Sequence, residues 1–263
     1  AEGGGDFARA MITTDTRTKE TAVRFEVEGR TYHVGGCAKG SGMIHPDMAT
    51  MFGFITTDAP ADPAWLQAAL GLIADRTFNM LDIDMDTSTS DTVLVFANGA
   101  AGGDEIGRGH PAAGALAGAI EAVARHLTRE LARDGEGAET LIEAVVEGAA
   151  ELEDARLAAR TIVSSPLVKT MVTGRDPNWG RVMMAIGRSG ARVDQTLVSV
   201  WVGPHCVLER GTPTAVDLSM VSAAMAEDEV QLRVDLGLGE ASAVAWGCDL
   251  TAEYVHINAD YTT

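Results

Sequence analysis

The chain has 263 residues, 46% of them hydrophobic, and a formal net charge of −18 at pH 7. That length supplies a substantial core and one large or two smaller domains, and so acidic a chain repels phosphate backbones, which argues against nucleic-acid binding. Cys37, Cys206 and Cys248 are widely spaced with no C-x-x-C pair, which points to reduced thiols and a cytoplasmic setting; no run approaches the ~18 apolar residues of a membrane span, and no signal peptide is visible.

In chain order, residues 1–10 open with glycines and turn helical; the first residue is Ala1 rather than Met, as expected if the numbering starts inside a longer precursor. Met11-Ile12-Thr13-Thr14-Asp15-Thr16 is dense in hydroxyls, the composition of a loop or helix cap. Alternating apolar and polar residues predict a strand over 22–28, and Gly29-Arg30 turns it back through Thr31-Tyr32-His33-Val34. This hairpin feeds an irregular, glycine-rich stretch from Lys39 to Thr50, and Met51-Phe52-Gly53-Phe54-Ile55 reads as a buried strand. Asp62-Pro63 starts a helix expected to reach about Phe78. Residues 82–92 carry aspartates at 82, 84, 86 and 91 among Thr and Ser; Thr87 stands where a calcium loop needs glycine, so a turn that lines a pocket or caps neighbouring elements is expected. Val93–Phe96 reads as a buried strand.

A glycine-rich loop over 98–110 leads into an Ala-rich helix from Pro111 to about Arg133, where Gly114 and Gly118 suggest close helix packing. Asp134-Gly135-Glu136-Gly137 ends it on a turn that displays Glu136, before a strand over 141–148 and a helix over 152–163. From about residue 189 the texture changes: two hairpins (196–202 with 205–209, and 230–236 with 241–246) flank a short helix over 218–226, and a last helix begins after Asp249. The expected organisation is a main α/β domain over 1–188 and a small α/β domain over 189–263. No internal repeat is apparent.

The histidines are scattered with no zinc spacing, and no P-loop, kinase motif or G-x-S-x-G elbow occurs, so neither a metal nor a cofactor is expected. A threonine at a new chain start remains: its α-amine, with an unperturbed pKa of about 7.7–8.0, is a base near neutral pH for its own hydroxyl. The glycine-flanked approach to Thr50 permits the backbone torsions of an N→O acyl shift at the Ala49–Thr50 bond.

Seven motifs in register, among them Met11–Thr16, Lys39–Ile44, Pro46–Met51, Asp86–Thr92, Asp134–Ala138, Ser165–Thr170 and Asp176–Arg181, resemble the bifunctional ornithine acetyltransferase (glutamate N-acetyltransferase) family, over nearly the whole chain to the tail Asn258–Thr263. The resemblance implies an α/β fold of stacked sheets flanked by helices. It implies cleavage between Ala49 and Thr50, acetyl transfer from N-acetylornithine to glutamate through an ester on Thr50, and in some members use of acetyl-CoA. Two cleaved chains forming a heteromer that oligomerises further are also implied. By motif Thr50 is the nucleophile, and Thr13, Lys39, Thr50, Glu136, Asn258 and Thr263 fall at substrate-binding positions. Lys39 suits an α-carboxylate and Glu136 an ammonium; the terminal carboxylate of Thr263 is a further anion. The family's oxyanion-hole Thr-Gly pair belongs to a segment before the matched part, and losing one such donor costs about 10²–10³ in rate. The family's lysine near the Glu136 turn is replaced by Glu139-Thr140. Two other readings are an autoprocessed amidase or aminopeptidase with water as acceptor, and a non-catalytic fragment.

Overall fold

A computed structural model of the chain describes residues 3–45, 51–88 and 90–260. After helix α1 (Gly4–Met11), strands β1 (Lys19–Val27) and β2 (Arg30–Lys39) form the expected hairpin, in register from Val27↔Arg30 to Lys19↔Ala38. Its two turn residues, Glu28 and Gly29, both take positive φ (53° and 74°), the turn whose twist suits two adjacent strands. Strand β3 (Phe52–Thr57) pairs antiparallel with β2. Helix α2 (Pro63–Ala74) follows, its start fixed by Asp62, whose carboxylate accepts the Trp65 amide at 2.7 Å. It ends four residues short of Phe78, which lies in a single 3₁₀ turn (Phe78–Met80) leading into the short strand β4 (Leu81–Asp82). Strand β5 (Thr92–Ala97) completes a sheet of order β1-β2-β3-β5, parallel to β3.

Helix α3 (Ala113–Arg133) leads to strand β6 (Leu141–Ala149) and helices α4 (Leu152–Val163), α5 (Pro166–Thr173) and α6 (Gly180–Gly187). Then come β7 (Ser199–Val202), β8 (His205–Glu209), β9 (Thr212–Pro213), helix α7 (Leu218–Ala224), β10 (Glu229–Asp235), β11 (Ala241–Cys248) and helix α8 (Ala252–Asp260). The second sheet runs β4-β11-β6-β10-β7-β8-β9. The hairpin expected over 230–246 does not form: β6 lies between its two strands, parallel to β10 and antiparallel to β11. The reason is burial. Leu141, Ile142, Ala144 and Val146 are fully inaccessible, and so apolar a strand takes a central place with a neighbour on each edge. The anticipated boundary at 188/189 therefore falls inside one hydrogen-bonded sheet.

Side-chain direction gives the layer order. On β2, a Cβ at Gly36 would lie 2.9 Å from Val123 and 3.2 Å from Leu127, so this face of the first sheet meets α3 at a distance only glycine permits. On β11, Trp246 points to the α3 side, under the Arg125 guanidinium, and the next residue, Gly247, meets Val163 of α4. The layers are thus α1, first sheet, α3, second sheet, α4: stacked sheets flanked by helices, with one helix between them. Leu116, Ile120, Val123, Leu127 and Leu131 of α3 are buried on this account. Gly114 and Gly118 are not packing glycines, because a Cβ at either would enter open space. Nor is β5 buried: Val93 and Val95 turn inward, while Leu94 and Phe96 are 40% and 53% exposed on the opposite face, next to a groove lined by Phe7, Cys37 and Phe54. Among the described residues no helix is long and apolar enough to cross a membrane.

Candidate active site

The site is built where β2 ends. Lys39, at its last position, is buried, and its ammonium donates to the Thr13 hydroxyl at 3.2 Å and lies 5.6 Å from the centre of the Phe52 ring. A buried charge needs fixed surroundings, and these come from Asp15. One of its oxygens accepts the Gly40 amide at 2.7 Å and the Lys19 ammonium at 2.6 Å, and the other accepts the Thr13 amide at 3.2 Å. Lys19 also pairs with Asp134, which accepts both the amide and the hydroxyl of Thr16. Burial by itself raises the Asp15 carboxyl, but the Gly40 amide and Lys19 outweigh it and hold the group below the ordinary carboxylate value. The hydroxyl-rich run is therefore more than a cap: an inaccessible Asp15–Lys19–Asp134 cluster clamps it to the start of the glycine loop.

Beyond Gly40 the loop meets the Glu136 turn. The Glu136 amide donates to the Ser41 carbonyl at 2.7 Å, and the Ser41 hydroxyl lies 2.6 Å from that of Thr14. A Cβ on Gly42 would sit 2.7 Å from the Glu136 carboxyl carbon, so a glycine lets the carboxylate lie flat against the loop. The carboxylate accepts Asn258 Nδ2 at 2.9 Å from α8. Asp84 accepts the amides of Met43 and Ile44 at 2.7 and 3.1 Å, and the Tyr254 hydroxyl at 3.3 Å. Met43 and Met85, near either side of this contact, hold left-handed φ of 54° and 65°, a strain of order 1–2 kcal/mol per non-glycine residue. Burial pushes the Asp84 carboxyl up against the pull of those amides, and burial with the Asp84 charge pushes the Tyr254 phenol well above its usual range.

His45, the last described residue before Pro46, gives Nδ1 to Asp82 at 2.8 Å. Asp82 is fully buried, its other oxygen 3.5 Å from Lys169, whose ammonium donates to the Cys248 carbonyl at 2.8 Å. Burial raises the neighbouring Cys248 thiol to about 11, so it is a packed, protonated group at neutral pH. The Glu139-Thr140 pair is held by backbone: both amides donate to Asp249 Oδ1, at 2.9 and 3.0 Å, and the Glu139 side chain is exposed.

Of the residues expected from sequence, Thr13, Lys39, Glu136 and Asn258 are thus joined through the single backbone stretch 39–42. Ala49, Thr50 and Thr263 lie outside the described residues. Sequence reasoning did not single out Asp15, Asp84 or Tyr254. The dense aspartates near 84 were a signal for capping; Tyr254, one aromatic on a short helix, offered none. Among the described residues no cluster of three His, Cys, Asp or Glu side chains could hold a metal ion.

The ArgJ family profile matches residues 1–263. The chain is 51% identical over 260 residues to the Arginine biosynthesis bifunctional protein ArgJ of Dehalococcoides mccartyi, covering 99% of this chain and 64% of that protein. It is 52% identical over 262 residues to the protein of the same name from Symbiobacterium thermophilum, covering 100% and 65% respectively. It is also similar to the crystal structure of Arginine biosynthesis bifunctional protein argJ from Bacillus halodurans, with a TM-score of 0.77 and 42% identity over 80% of this chain and 98% of that one. The chain spans just under two-thirds of the length of the curated relatives it matches.

Proposed function

The chain belongs to the ArgJ family, and on that premise we propose that it carries out acetyl transfer from N-acetylornithine to glutamate through an acetyl ester on Thr50. The hydroxyl of Thr50 first attacks the Ala49 carbonyl; the C–N bond breaks, the hydroxyl proton passes to the released amine, and water hydrolyses the ester to leave a free Thr50. In the first half-reaction the same hydroxyl attacks the acetyl carbonyl of N-acetylornithine. The amide C–N bond breaks, and the proton travels through the Thr50 α-amine to the departing ornithine nitrogen. In the second, the amine of glutamate attacks the ester, the C–O bond breaks, and a proton returns to Thr50. Lys39, with Thr13 at its side, receives the substrate α-carboxylate. Glu136, steadied by Asn258, faces the cationic side-chain end of ornithine, and Thr263 adds its terminal carboxylate.

The observation that carries this reading is the joining of Lys39 with Thr13 and of Glu136 with Asn258 on either flank of Ser41–Gly42: a cation and an anion held by one loop that leads to Thr50. Oxyanion donors from an upstream segment, two self-cleaved chains assembled together, acetyl-CoA as a second donor and a cytoplasmic location belong to the same proposal. The test is incubation of the full-length protein with N-acetylornithine and labelled glutamate. Ornithine and labelled N-acetylglutamate are expected in equal amounts with ping-pong kinetics. Acetate in place of acetylated glutamate turns the reading into a hydrolase, and absence of ornithine release removes it. Mass spectrometry checks the break at Ala49–Thr50.

A further inference from the structure

Helix α8 is an unusual carrier for a substrate-binding residue. None of its nine residues is buried, Val255 is 63% exposed, and a helix of this length is unstable alone in water. It is held instead by polar contacts on one stripe. The Thr251 hydroxyl, just before the helix, donates to the Gly137 carbonyl at 2.6 Å; Tyr254 Oη donates to Asp84 at 3.3 Å; Asn258 Nδ2 donates to Glu136 at 2.9 Å. Residues 251, 254 and 258 follow the spacing of one helix face. The first and last contacts both go to the Glu136 turn. Only the middle one reaches another element, the loop whose Asp84 also holds the amides of Met43 and Ile44.

We infer that Tyr254 is a positioning residue for the reaction proposed above, docking α8 through Asp84 so that Asn258 meets Glu136 in the geometry that receives substrate. Asp84 is suited to this, because three backbone amides, those of Met43, Ile44 and Asp86, fix it independently of α8. Through Asp84 the contact ties the tail to the loop that carries Ser41 and Gly42, a second link beside the Glu136 amide bond to the Ser41 carbonyl. The phenol stays protonated, and so remains a donor, through and beyond neutral pH. A hydrogen bond to a carboxylate contributes on the order of 10-fold to such a docking equilibrium. Substrate that binds only the docked form weakens in apparent affinity as that form becomes rarer.

The experiment compares the full-length protein with Tyr254→Phe, which keeps the ring and removes only the donor. Michaelis constants for N-acetylornithine and glutamate are expected to rise between about 2-fold and 10-fold, in proportion to the lost fraction of docked helix, with kcat within about 2-fold. Amide hydrogen exchange over 252–260 should accelerate by a similar factor while β6 and β11 stay protected, and saturating substrate should restore that protection. Unchanged constants with unchanged exchange overturn the inference. So does a loss confined to kcat, or a KM rise accompanied by loss of protection across the core, which is a merely structural effect. If the wild-type protein transfers no acetyl group, the proposed reaction falls. Exchange of 252–260 then still decides whether Tyr254 docks the helix, and unaltered exchange in the variant refutes it.

Discussion

Asp15 and Asp91 show how much of the site rests on single carboxylates away from the substrate. Asp15 has a folded-state pKa below its unfolded value, so its stabilising contribution is present above the unfolded carboxylate pKa and is lost as pH falls through the folded one. Asp15→Asn removes one of the two carboxylates on the buried Lys19, which keeps Asp134, and weakens the bonds from the Gly40 and Thr13 amides; we expect about 2 kcal/mol lower stability at neutral pH by chemical denaturation. The variant should also show a flatter acid limb below about pH 4 than the parent. Asp91 accepts the Met51 amide at 2.8 Å, the amide joined directly to the Thr50 carbonyl. If the proposed cleavage at Ala49–Thr50 takes place, Asp91→Ala, which loosens the adjoining peptide, should slow it by about 10²-fold, followed as loss of the uncleaved chain by mass spectrometry. Lys39 and Glu136 could be nominated from sequence because the family motifs place them, and their charges suit a carboxylate and an ammonium. Asp15 was hidden because Gly40, whose amide it accepts, and Asp134, which shares Lys19 with it, are brought to it only by folding.

At the scale of elements, the turn after α3 decides where the tail goes. Gly137 has φ of 70°, and a Cβ there would lie 2.5 Å from the Tyr254 amide nitrogen, a backbone atom that cannot step aside without moving α8. Gly137→Ala is therefore expected to raise KM at least 10-fold and to make the 252–260 segment susceptible to limited proteolysis, with the second sheet intact by circular dichroism. Boundaries were well marked where local chemistry set them. Asp62 and Pro63 opened α2, the span 152–163 matched α4, and the hairpin turn expected at Gly29-Arg30 falls one residue earlier, at Glu28-Gly29. Pairing was misread where it depended on a distant strand. The sequence between 236 and 241 has every appearance of a hairpin turn, and nothing near it reveals that β6 occupies the space between β10 and β11.

For the whole molecule, α3 is the shared wall of both sheets. Its Leu127 faces Gly36 of the first sheet, and its Arg129 pairs with Glu143 and Glu229 of the second. Leu127→Ala removes a fully buried side chain from this junction and should cost about 2–5 kcal/mol. Because α3 touches both sheets, the tryptophan signal of Trp201 and Trp246 in the second sheet and the global circular dichroism should shift to lower denaturant together, as one transition. Two separated transitions would show that the sheets unfold independently.

By itself the sequence determined the α/β class, most helix limits and the family resemblance, through which it nominated Lys39 and Glu136, since these depend on residue type, short-range periodicity and motif spacing. Only the tertiary structure decided the layer order, with α3 between the sheets, the insertion of β6, and the exposure of Leu94 and Phe96 on an outer strand. It alone identified Asp15, Asp84 and Tyr254 as the groups that hold the site together. Each of those outcomes rests on contacts between residues tens to more than a hundred positions apart, as in Tyr254 with Asp84 and Lys19 with Asp134. Which of the possible partners a buried polar group finds is settled by the cost of leaving it unpaired in the fold, not by its neighbours in the chain.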